Sequence, residues 1–148
     1  MFTELMSPSW VTLTFLFDKT LFFRYTVGMN TIQYIVINKD LKMSAGKAMA
    51  QVAHAVSLVS KPADITKYNK AKQRTVIVLE GTSNQIEYLS LYLYDRGLRS
   101  EYVIDEGVNE IPTMSVTALA TQQMNIEDKE NREILKGFKL YKHGRFYG

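Results

Sequence analysis

The chain has 148 residues, 46% hydrophobic and 22% charged, which suits one globular domain with a single core. Cysteine is absent, which excludes disulfides and thiolate-bound metals and fits a reducing compartment, and two histidines far apart do not suggest a histidine-rich metal site. A net charge of +3 permits a phosphate-bearing partner without demanding one.

Residues 1–28 differ from the rest. They carry the only tryptophan, Trp10, and five of the seven phenylalanines: Phe2, Phe15, Phe17, Phe22 and Phe23. The run WVTLTFLF is too short to span a membrane, which takes about 18 apolar residues, and no basic n-region precedes it as a secretory signal would require. Two readings stay open. Either Met29 is the natural start and 1–28 is an upstream extension, or the segment adds a strand or hairpin that covers a sheet edge. The domain proper is expected over 29–148.

From Ile32 the elements alternate. IQYIVIN is an unbroken β-rich run, as in a strand covered on both faces. Gly46 to about Ser60 reads as a helix, with Ala48, Val52, Ala55, Val56 and Val59 on one stripe. Pro62 closes it, and the lysine-rich KPADITKYNKAKQ reads as a connection. RTVIVLE is a second strand. Thr82 with Gln85 forms a capping-box signal ahead of Ile86, Leu89 and Leu93, and Gly97 suits the helix end. EYVID and SVTALA read as two further strands. Asn125 suits the cap of a short helix stopping at Gly137, and FKLYK ends in extended structure. The expected fold is a three-layer α/β/α sandwich around a mixed, mostly parallel sheet of about four strands. Ligands of such sheets bind beyond the carboxyl ends of the strands, so KDLKMSAGK and DEGVNEIP are the expected rims of one site.

Within the first rim, Lys47, Gln51 and His54 are four and three positions apart and share a helix face separate from the apolar stripe. A solvated face is the plain reading. Against it, the residues between are alanine and methionine rather than glutamate and lysine, and Gly46 leaves the helix N-terminus open to an anion. A nucleotide phosphate loop is excluded: Leu41 stands where its first glycine belongs, and Ala48 where serine or threonine must follow the lysine.

The stretch DLKMSAGKAMAQVAHA resembles the signature of the type-two peptidyl-tRNA hydrolases, Asp-Leu-x-Met/Leu-x-x-Gly-Lys-x-x-x-Gln-x-x-His-Ala, and the resemblance runs from about Tyr34 to Leu140. The family's second signature is matched in part. Asp105, Gly107, Ile111 and Thr117 fall in register, whereas Glu106 and Asn109 replace an alanine and a threonine, Met114 stands at a turn glycine, and TQQ replaces Ile-Gly-Pro.

The resemblance implies hydrolysis of the ester between a peptide and the terminal ribose of tRNA, with no metal or other cofactor, in a cytoplasmic homodimer without a membrane partner. It implies a catalytic set of Lys47, Gln51, Asp105, His54, Thr117 and Asn109. Lys47 would hold the oxyanion or a nearby phosphate, and Gln51 the water or the ester carbonyl. Asp105 would pair with Lys47 and serve or orient the base, Thr117 would hydrogen-bond within the site, and Asn109 would do the work of the family's threonine. The tRNA backbone and 3′ end would lie on Lys39, Lys42, Gly46, Lys70, Lys72 and Arg74. The alternative is a protein of the same fold that binds tRNA or another ligand without hydrolysing it.

Overall fold

The computed structural model describes residues 30–106, 111–112 and 114–142. The expectations for residues 1–28, Gly107 and Asn109 lie outside them. Among the described residues, six strands form one sheet: β1 (Thr31–Asn38), β2 (Arg74–Gly81), β3 (Ser100–Asp105), β4 (Ser115–Thr121), β5 (Met124–Asn125) and β6 (Lys139–Leu140). Their order is β3-β4-β1-β2-β6, with β5 pairing the start of β1. The helices are α1 (Ala45–Val59), α2 (Pro62–Lys70), α3 (Ser83–Asp95) and α4 (Lys129–Glu133).

The expected α/β/α sandwich is present, and β1 is buried along its whole length. Its residues alternate between two cores. Ile35 and Ile37 meet Ala48, Ala55 and Val59 of α1, while Ile32, Tyr34 and Val36 join the core of Ile86, Leu89 and Leu93 of α3. The sheet differs from expectation in two respects. Among the described residues it has six strands rather than about four: β6 falls within FKLYK, read as extended, and β5 is two residues long, too short to leave a periodic signal. It is also mixed in a particular way: β1, β2 and β3 run the same way and β4 opposes them, so among the described residues β1 and β2 are the one parallel pair of neighbours. The connection from Asp105 to Ser115 is too short for a crossover, which takes a dozen residues or more, so β3 and β4 pair antiparallel.

Residues 62–70 form a helix rather than a connection. Pro62 sits at the first helical position, where its missing N–H costs nothing, and the Lys61 N–H donates to the Asp64 carboxylate at 3.0 Å. Asp64, 2% exposed, also accepts from Arg99 Nη2 at 2.5 Å, which ties α2 to the entry of β3. The α3 capping box forms as read: Gln85 N–H donates to Thr82 Oγ1, and Thr82 N–H to Gln85 Oε1. Gly97 follows α3 at φ 71°, a left-handed position that glycine takes without strain. The last helix begins later than read. Asp128 caps it, while Asn125 belongs to β5 and turns its Oδ1 to the Glu127 N–H.

Candidate active site

Lys47 and Asp105 come from different strand ends and meet. The chain leaves β1 at Asn38, whose side-chain carbonyl accepts the Asp40 N–H at 3.0 Å and so shapes a tight turn over Lys39–Leu41. Asp40 then accepts the Ser83 N–H at 2.9 Å, tying this turn to the start of α3, where a carboxylate is favoured. Ser44 caps α1 by accepting the Lys47 N–H at 3.3 Å. One turn into the helix, Lys47 Nζ lies 2.7 Å from Asp105 Oδ2 at the end of β3. Their side chains are 15% and 17% exposed, enough to reach a ligand and little enough to be held in place.

Two buried residues hold this pair from beneath. Gln51 Nε2 donates to Asp105 Oδ2 at 3.3 Å, and Thr117 Oγ1 donates to Gln51 Oε1 at 2.7 Å. Because a carboxylate only accepts, the Gln51 amide must turn its nitrogen to Asp105 and its oxygen to the threonine hydroxyl. Thr117 owes its place to a β-bulge. Val103 pairs with Ala118 and Ile104 with Val116, which leaves Thr117 as the extra residue of β4. Bulges of this kind re-aim a side chain, and here the hydroxyl is turned under α1.

The pair opens into a cleft of about 500 Å³ between α1 and β3, lined by Lys47, Gln51, His54, Leu58, Ile104 and Glu106 among others. His54 lies on its wall, exposed, with no hydrogen bond or ion pair to the described residues. Gln51 and Thr117 are 2% and 0% exposed and lie behind the ion pair, with Gln51 at the floor of the cleft.

A family model for the peptidyl-tRNA hydrolase PTH2 matches residues 31–141. This chain belongs to that family. Among curated proteins, the PTH2 match is joined by peptidyl-tRNA hydrolases from Thermococcus onnurineus and Methanopyrus kandleri. The first is 31% identical over 94 residues, which cover 60% of this chain and 80% of the relative. The second is 33% identical over 92 residues, covering 59% and 79%. A solved protein of unknown function from Agrobacterium tumefaciens strain C58 shares the fold, with TM-score 0.51 at 12% identity over 76% of this chain and 98% of that one.

The basic residues read from the sequence fall into two groups on this PTH2 fold. Lys39 and Lys42 are exposed just ahead of α1, and Gly46 is open, since an added Cβ there would meet nothing within 4 Å. Lys70, Lys72 and Arg74 sit at the start of β2, where Arg74 pairs with Thr31, a full strand length (roughly 25 Å) from the end of β1. Arg74 is moreover occupied. It donates to the Tyr68 and Asn69 carbonyls at 2.7 and 3.0 Å and lies over the Tyr68 ring, closing the end of α2. The sequence reading missed Leu58, although it continues the 47, 51, 54 spacing by four and carries the same helix face onward.

Proposed function

We propose that this chain hydrolyses the ester between a peptide and the terminal ribose of tRNA, releasing both. The observation that carries the reading is the Lys47–Asp105 pair at the cleft surface, braced by Gln51 and Thr117. Ester hydrolysis needs a water made nucleophilic and an oxyanion stabilised. Asp105 orients the water and takes its proton as the water oxygen bonds to the ester carbon. The Lys47 ammonium, which has further N–H donors beyond the one given to Asp105, meets the negative oxygen that develops. The bond to the ribose oxygen then breaks, and that oxygen recovers a proton as the tRNA leaves.

Lys39, Lys42 and the open α1 N-terminus at Gly46 suit the 3′ end and its phosphates. Lys70 and Lys72, at the other end of the sheet, suit at most a distant part of the tRNA backbone. His54 stands on the cleft wall, and Asn109 keeps the role the resemblance gives it, that of the family's threonine. The unbroken contacts from Thr117 to Lys47 support turnover over the binding-only alternative. A cytoplasmic homodimer completes the proposal, and light scattering on the purified protein tests the oligomer. The function itself is tested by release of tRNA from a defined peptidyl-tRNA, with the Lys47→Ala variant as control.

A further inference from the structure

Among the described residues the outer edge of β3 is unpaired, and it borders the cleft. β3 is the last strand of the sheet and pairs with β4 alone among the described residues. The Arg99 carbonyl accepts the Gln122 N–H, its own N–H donates to Gln122 Oε1, and the Val103 carbonyl faces Thr117 Oγ1 at 3.3 Å. These residues therefore spend their main-chain groups toward β4. Strand alternation turns the N–H and C=O groups of Tyr102 and Ile104 the other way, outward. Val103, Ile104 and Asp105 all line the cleft that holds Lys47, so the open edge leads directly to the ion pair. Two large apolar side chains stand exposed in the same cleft, Leu58 at 59% and Ile104 at 54%.

We infer that the peptide part of the substrate lies along this edge as an added strand, parallel to β3, with its carboxyl end at Asp105. This inference rests on the hydrolase reading and deepens it. A peptide released from tRNA can have any sequence, and pairing through main-chain groups grips a peptide without reading its side chains. The edge of Ser100–Asp105 is about 20 Å long, room for several residues ahead of the ester. Leu58 and Ile104 give apolar side chains of the peptide a surface to lie on, so composition modulates affinity while main-chain pairing supplies most of it. The edge also separates the two halves of the substrate. The peptide runs down β3 away from Lys47, and the nucleic acid leaves past the α1 N-terminus.

The test uses the full chain and three substrates on one tRNA: a tripeptidyl ester, the same tripeptide N-methylated at one internal amide at a time, and an N-acetyl-aminoacyl ester. N-methylation removes a single main-chain donor and blocks strand pairing. At one internal amide it is expected to lower kcat/KM by about tenfold, chiefly through KM, as losing one well-made hydrogen bond does. The N-acetyl-aminoacyl ester, with no strand to add, is expected to show a similar loss. If every N-methylated substrate and the N-acetyl-aminoacyl ester are cleaved within threefold of the tripeptidyl ester, edge pairing is wrong while the hydrolase reading stands. If the unmodified tripeptidyl ester is not cleaved at all, the hydrolase reading fails, and this inference falls with it.

Discussion

Lys47 Nζ and Asp105 Oδ2 are 2.7 Å apart although 58 positions separate them in the chain. A lysine in the first turn of a helix is misplaced by the helix dipole, which favours anions there. Asp105 offsets this by supplying the anion, and β3 delivers it because β1 and β3 run the same way and end on the same side of the sheet. The pair therefore follows from strand direction as much as from the two residues.

Thr117 should act through Gln51. Thr117→Val keeps the shape but leaves the buried Gln51 carbonyl without its donor, so a stability loss of about 1–3 kcal/mol is expected, together with slower ester cleavage. Thr117→Ser keeps the hydroxyl and should recover most of the rate. Thermal unfolding and single-turnover cleavage of the two variants check this.

Met114 stands at φ 61°, a left-handed backbone position, and is 63% exposed. Its side chain gains little from packing there and strains the backbone. Met114→Gly should stabilise the fold by about 1 kcal/mol, seen as a higher denaturant midpoint at unchanged m-value.

Binding of tRNA should weaken linearly in log affinity against log salt concentration. Replacing Lys39 and Lys42 together by alanine should lower that slope by roughly two, whereas Lys70 and Lys72 should change it less. Equal changes from both pairs would move the docking surface toward the far end of the sheet.

The sequence made the four main strands and the first helix legible because their apolar periodicity and caps are local. The helix over 62–70 was hidden because lysines mask a weak apolar face, although Pro62 and Asp64 are good start signals. The Thr117 bulge leaves no local signal, since it is a matter of how β4 pairs with β3. The same holds for the basic residues. Lys70, Lys72 and Arg74 count as positive charges in a sequence, and only the β1–β2 register shows that they lie at the opposite end of the sheet from Lys47. The spacing puts Gln51 on the face of Lys47, but its burial depends on how α1 seats over β3 and β4.

The most direct test of the account is single-turnover cleavage of a defined peptidyl-tRNA by the unaltered chain, Lys47→Ala and Asp105→Asn. Both side chains reach the cleft, so the partner left behind in each variant can hydrate and the fold should persist, as circular dichroism would show. The account predicts cleavage by the unaltered chain and a loss of about a hundredfold or more in each variant, the size expected when an electrostatic stabiliser is removed. Folded variants that cleave at the full rate would contradict it.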